Sequence, residues 1–263
     1  QLMIVVTLCI QATLIFGQNK SDNDFLGKAD LYKAKKQALE YLSDSLTIKK
    51  FGEISDSIWN FAELGMQEFR SSAILIRQLE AAGFTVERGV AGMPTCFVGT
   101  WGSGKPVIGI LGEFDALPML SQKARTPFQD PVIPGAPGHG CGHNMMGTAG
   151  VAAVIAVKKS MEQNNITGTI KFFGSPAEET LISRPYMVRD GVFKDVDAVI
   201  DNHAASRLQT AYGVSGNAVM SVLFTFKGKA AHAAGAPWDG ISALDAVELM
   251  NVAVNYLREH LFY

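Results

Sequence analysis

Cys141 and His143 stand two residues apart in the run Gly138-His139-Gly140-Cys141-Gly142-His143, and the adjacent acids Glu178 and Glu179 and then His203 follow downstream. Thiol, imidazole and carboxylate are the mixture that borderline divalent ions such as zinc prefer. In an extended segment, residues two apart point the same way, so Cys141 and His143 can grip one ion. Adjacent residues diverge, so one acid of the Glu178–Glu179 pair can bind metal while the other faces a water beside it. That is the constellation of a metal-dependent hydrolase. Each residue also has a plainer reading. A lone cysteine is often a small buried hydrophobe, and a Glu-Glu pair is often a solvated surface. Their joint occurrence, each just after an apolar run, favours the metal site. A cysteine nucleophile served by His143 fits less well, because the two side chains run parallel on a strand and the acids go unexplained.

The composition leaves room for such a site inside a real core: 263 residues, 48% of them apolar. A formal charge of −2, with no basic patch interleaved with aromatics, excludes an electrostatic nucleic-acid binder. Three widely spaced cysteines make no disulfide framework. Cys9 falls in an apolar run, Cys96 in an expected buried strand, and only Cys141 among polar metal-type neighbours. Residues 2–16 (LMIVVTLCIQATLIF) are almost continuously apolar and turn polar at Gly17. The run is short for a membrane span, so a signal peptide over 1–17 is expected, with export to the periplasm or the medium and no membrane attachment after cleavage. The alternatives are an uncleaved anchor or a buried N-terminal helix, and without a signal peptide the protein is cytoplasmic. The first residue is Gln and no basic segment precedes the apolar run, so the start is expected upstream. Tyr263 follows a helical pattern without a cap, so the chain is expected to continue.

The elements that must position these residues alternate between helix and strand. Helical periodicity covers 31–46 and 54–64, and Ser71 or Ser72 is expected to cap a helix that runs to Ala82 and stops at Gly83. Strands are expected at 85–90, 96–98 and 107–111, then a Pro- and Gly-rich surface loop over 121–137. A small-residue helix over 146–161 can pack closely on a sheet. Strands at 169–173 and 198–201 deliver Glu178, Glu179 and His203 just past their ends. Strands alternating with helices imply an α/β fold with a mostly parallel sheet and flanking helices, whose ligand edge lies beyond the strand C-termini. The character changes near 213–216. Alternation over 219–226 reads as a half-buried strand, and 242–257 as an amphipathic helix. The expected organisation is a first domain over 18–215 and the beginning of a smaller α+β domain over 216–263.

Residues 112–118 (GEFDALP), 138–148 (GHGCGHNMMGT), 175–179 (SPAEE), 187–193 (MVRDGVF) and 228–234 (GKAAHAA) together carry a resemblance. The chain resembles the metal-dependent amidohydrolases that include aminoacylases, hippurate hydrolases and glutamate carboxypeptidases, and within them the group of the p-aminobenzoyl-glutamate hydrolase B-subunit. The resemblance implies a zinc-peptidase-like catalytic domain with two divalent ions (manganese, zinc or cobalt), interrupted by a lid that mediates homo- or heterodimerisation. It implies that Cys141 bridges the metals, that His143, Glu179 and His203 are further ligands, and that Glu178 is the general base. Asp115 would orient a ligand, and His232 would donate a hydrogen bond to the developing oxyanion. One more metal histidine and the residues holding the substrate carboxylate are expected beyond Tyr263. The surroundings of His203 (Asp-Asn-His-Ala) depart from the Trp-His-Pro expected in that group. The implied reaction is hydrolysis of an amide joining an acyl or aroyl group to an amino acid, as in p-aminobenzoyl-glutamate. The alternatives are a broad aminoacylase or dipeptidase using the same residues, and an inactive metal-binding regulatory subunit. His139 is expected to shape its glycine-rich turn, His260 to sit solvated at a helix end, and Cys96 to be core.

Overall fold

The computed structural model describes residues 28–180, 182–205 and 221–260. The chain divides into two compact units, Gln1–Thr210 and Ala211–Tyr263. The apolar leader and the boundary expected at 215/216 lie outside the described residues. No helix among the described residues is long and apolar enough to cross a membrane.

In the first unit, α1 (Lys28–Ser43) and α2 (Ser45–Phe61) meet at Asp44, so the second helix begins well before residue 54, where periodicity starts it. Asp44 takes an extended backbone and its Oδ2 accepts from the Thr47 N–H at 2.9 Å, which caps α2. Periodicity alone carries Leu46 into the first helix, yet it is 75% exposed. α3 (Phe69–Ala81) starts earlier than Ser71. Its cap comes from Glu63, whose carboxylate accepts from the N–H groups of Arg70 and Ser71 and from the Ser71 hydroxyl. Ala34, Ala38 and Leu42 of α1, Phe51, Ile54 and Ile58 of α2, and Leu75 and Leu79 of α3 are buried at helical spacing.

α3 and the long helix His143–Asn164 cover one face of a five-stranded sheet in the order β1-β2-β4-β3-β5, and α1 and α2 pack on that long helix from outside. The strands are β1 (Thr85–Arg88), β2 (Phe97–Ser103), β3 (Val107–Glu113), β4 (Gly168–Ser175) and β5 (Ala198–Ile200). β3 runs parallel to both β4 and β5, while β1–β2 and β2–β4 are antiparallel. The α/β class with flanking helices holds, and the sheet is mixed. The connection between β1 and β2 is too short for a parallel crossover, which needs a dozen or more residues. Phe172 and Phe173 show how the sheet is covered on both faces. Adjacent on β4, they point oppositely: Phe172 into the helical core, Phe173 against Val90, Met93 and Met187.

The parallel part positions the site. Glu113 at the end of β3 pairs in register with Ser175 at the end of β4, and β5 lies on the other side of β3. α4 (His143–Asn164) packs against this edge very closely. A Cβ on Gly147 would lie 2.7 Å from the Glu113 carbonyl oxygen, so only glycine lets the first turn of α4 approach the end of β3. α5 (Ser183–Arg189) follows the Glu178–Glu179 turn.

In the second unit, α6 (Ala243–Tyr256) is capped by Ser242, whose Oγ accepts from the Asp245 N–H at 3.2 Å. The strand expected over 219–226 is absent from its described part, 221–226. Alternating residues become a strand only against a ladder partner, and this segment has none among the described residues.

Candidate metal centre

Three strand ends and one helix start converge on His143. The β3 end supplies Glu113 and then Asp115, the β4 end leads to Glu178 and Glu179, the β5 end leads to His203, and α4 opens with His143 itself. His143 is wholly buried. Its Nδ1 faces the Asp115 carboxylate at 2.9 Å and the Asp115 carbonyl at 3.1 Å. Both partners are acceptors, so Nδ1 carries a proton and Nε2 is the ring atom left to face the site, where it holds a second proton or gives it up to bind an ion. His203 is set the same way: Nδ1 donates to the Ala204 carbonyl at 2.8 Å, and Nε2 lies 3.3 Å from Cys141 Sγ. The two imidazoles meet edge to face with centroids 5.8 Å apart.

The donor atoms gather in two overlapping groups. Cys141, His143 and His203 each offer one atom within 4.8 Å of the others, and so do Glu113, His143 and Glu178. His143 Nε2 lies 3.9 Å from Glu178 Oε2 and 4.0 Å from Glu179 Oε1. His143 Nε2, Glu113 Oε2 and Glu179 Oε1 are buried without a hydrogen-bond partner among the described residues. Buried carboxylate oxygens gathered around one imidazole nitrogen are costly unless a positive charge joins them, either a proton on Nε2 or a metal ion in its place. Sulfur, nitrogen and oxygen donors at this spacing fit a borderline divalent ion.

The electrostatics agree. Burial opposes charge on His143, but the Asp115 hydrogen bond and the charges of Asp115, Cys141 and Glu179 outweigh it and raise its pKa to about 9. The site thus favours positive charge at Nε2, which without an ion is a proton on the ring. Burial, with help from Asp115 and Glu178, raises the Glu179 carboxyl. Burial also pushes the Cys141 thiol up, the opposite of what a cysteine nucleophile needs.

The Glu178–Glu179 turn is held from behind by two buried carboxylates. Asp115 Oδ2 accepts from the Glu179 N–H at 3.0 Å, so Asp115 fixes both the His143 ring and the backbone of the acid opposite it. Glu68, fully buried, accepts from the Ala177 N–H at 2.7 Å and from the Thr95 hydroxyl at 2.8 Å. Ala177 takes a left-handed φ of 54°, a strained conformation for a residue with a Cβ. Glu68→Ala is expected to cost about 1–3 kcal/mol by leaving the Ala177 N–H unpaired, read by thermal unfolding and by faster amide exchange at Ala177. Glu68→Gln keeps an acceptor for that N–H and should restore most of both. Equal exchange in all three proteins would remove Glu68 from this role.

His139 is not among the converging donors. It is buried, its Nε2 donates to the Ile58 carbonyl at 3.0 Å, and burial lowers its pKa to about 4. His232 lies in the second unit and has the opposite tautomer to His143 and His203. Its Nδ1 accepts from the N–H groups of Ala234 and Gly235 at 3.2 and 3.0 Å, so its Nε2 carries the proton. Cys96 is buried, and burial pushes its thiol up to about 12.

Sequence reasoning misses Glu113, Arg184, Glu68 and Asp201. Glu113 lies inside the motif that supplies Asp115, and an acid closing an apolar strand is a usable signal. Arg184 on α5 contacts Glu113 and lies 3.9 Å from Glu178 Oε1 and 3.6 Å from Asp201 Oδ2. Nothing in its local sequence marks it. Burial raises the Asp201 carboxyl, with Arg184 acting against the shift.

Residues 109–255 match the sequence pattern of peptidase family M20/M25/M40. The chain is 46% identical over 213 residues to the B-subunit of p-aminobenzoyl-glutamate hydrolase from Escherichia coli (strain K12), covering 81% of this chain and 44% of that one. It is 30% identical over 246 residues to Xaa-Arg dipeptidase of Mus musculus, covering 89% of this chain and 52% of that one. A solved structure of a provisionally assigned aminohydrolase from methicillin resistant Staphylococcus aureus shares the fold at 25% identity and a TM-score of 0.50, over 62% of this chain and 41% of that one. The chain spans about half the length of these curated relatives. With the strand-end donors in place and the match running from β3 through α6, the chain belongs to peptidase family M20/M25/M40.

Proposed function

We propose that the whole protein hydrolyses an amide joining an acyl or aroyl group to an amino acid, with p-aminobenzoyl-glutamate as the type of substrate. The observation that carries this is the convergence of unpartnered buried donors on His143 beside a more accessible carboxylate, Glu178. Cys141, His143, Glu179 and His203 would hold two divalent ions, of manganese, zinc or cobalt. Bound there, such ions polarise an amide carbonyl and acidify water. Glu178 takes the proton of the attacking water on a carboxylate oxygen and returns it to the leaving amine. Asp115 keeps His143 in its lone-pair tautomer throughout. His232 has the donor tautomer that stabilising a developing oxyanion requires.

Residues 18–215 would be the first part of the catalytic domain, and 216–263 the start of a lid that mediates dimerisation. The Escherichia coli relative is named a subunit, which supports an assembly with a like or unlike partner chain. The similarity to an Xaa-Arg dipeptidase supports a second reading, a dipeptidase with the same residues in the same roles. Glu178 speaks against an inactive metal-binding subunit, since a purely structural site needs no base.

The test is a substrate panel on the full-length protein, alone and with candidate partner chains. p-Aminobenzoyl-glutamate is expected to give the highest kcat/KM, ahead of N-acetyl and N-benzoyl amino acids and of Xaa-Arg dipeptides. Preference for a dipeptide would favour the second reading. No turnover of any amide by the metal-loaded assembly would sink both.

A further inference from the structure

We propose that Glu113 is a further ligand of the metal centre, one oxygen committed to the ion and the other to Arg184. This rests on the metal reading above and adds a residue to which the family resemblance gives no role.

Glu113 is the last residue of β3 and is 1% exposed. One oxygen contacts the Arg184 guanidinium. The other, Oε2, lies 3.0 Å from His143 Nε2 and has no hydrogen-bond partner among the described residues. His143 has already committed Nδ1 to Asp115, so the atom facing Glu113 is the one free to bind metal. Ligand atoms around one zinc ion, each about 2.0–2.2 Å from it, sit near this spacing from one another. Glu113, His143 and Glu178 form a donor group in which Glu113 is the most deeply placed carboxylate.

A structural ion pair alone explains only half of this. Arg184 accounts for one oxygen, and it is shared with Glu178 and Asp201. The second oxygen is turned away from it, toward His143 Nε2. Without metal, a proton on His143 Nε2 can offset the charge of that oxygen. Once Nε2 binds an ion the proton is gone, and a Glu113 present only to anchor Arg184 would keep a buried charged oxygen with nothing to offset its lost hydration. The metal supplies that partner, while Arg184 occupies the other oxygen and competes with the ion for the carboxylate's charge.

The two readings predict different signs for two substitutions. In full-length protein, the affinity for Zn²⁺ and for Mn²⁺ is measured by competition with a chromogenic chelator, and the ions per chain by elemental analysis. Glu113→Gln is expected to weaken at least one ion on the order of a hundredfold, since even partners outside the ligand set are worth about 10–100-fold. Arg184→Gln removes a competing cation, so the same ion should bind as tightly or more tightly. Metal should also raise the Tm of Arg184→Gln by at least as much as that of the wild type. Unchanged affinity in Glu113→Gln, with both variants equally destabilised, would leave an ion pair and overturn the proposal. Should Glu113→Gln fail to fold, weaker metal binding in Arg184→Gln would overturn it by itself. A wild-type protein that binds no divalent ion would instead refute the metal reading on which this one stands.

Discussion

Glu178→Gln is expected to lower kcat on the order of a thousandfold, within the range typical of general acid–base catalysis, while metal content stays near that of the wild type. Glutamine keeps the shape and removes the proton acceptor. Glu179→Gln should do the reverse in kind: metal is lost, and activity falls because the ions are gone. The structure gives a reason for the difference. Glu179 is fixed through its backbone by Asp115, and its Oε1 is buried and unpartnered among the described residues at 4.0 Å from His143 Nε2. Glu178 is more accessible, and one of its oxygens lies 3.9 Å from Arg184. Steady-state kinetics beside elemental analysis of both variants decides the matter. If the two phenotypes are exchanged, the base and the ligand have been assigned the wrong way round.

Removal of metal is expected to abolish turnover in the full-length protein, with recovery on adding manganese, zinc or cobalt and close to two ions per chain. The same treatment should lower Tm. An ion that binds only the folded state at a hundred times its Kd stabilises that state by about 2.7 kcal/mol, and the buried carboxylates would face one another without it. Calorimetry with and without chelator reads this independently of any substrate. Undiminished activity in chelator, from protein with no metal by elemental analysis, would exclude the mechanism.

Glu179 and His203 are legible in the amino-acid sequence because each follows an apolar run, and in an α/β sheet the ends of such runs gather at one edge. Cys141 and His143 are legible as thiol and imidazole two residues apart in a glycine-rich turn. The strand positions are legible for the same reason, since short apolar segments between glycines have few other uses. Element boundaries are harder. Asp44 breaks α1 from α2 through a single side-chain hydrogen bond that periodicity does not register. Glu63 caps α3 from outside the helix, so the serines inside it mark the wrong start. The alternation over 221–226 has the pattern of a strand, although pairing depends on a partner and not on the segment itself.

Sequence alone determined the donor types, their order along the chain and the α/β class, because these depend on residue chemistry and on local hydrophobic period. Tertiary structure alone decided which donors meet and in which state. Asp115 and Ala204 each engage Nδ1 and so turn Nε2 of His143 and His203 toward the site, and the donor face of His232 is set by the amides of Ala234 and Gly235. The placement of Glu113 between Arg184 and His143 needed the parallel register of β3 and β4 and the close approach of α4 at Gly147. The physical reason is range: helix and strand preferences act over a few residues, whereas a buried charge is tolerated only by partners that the fold brings from far along the chain.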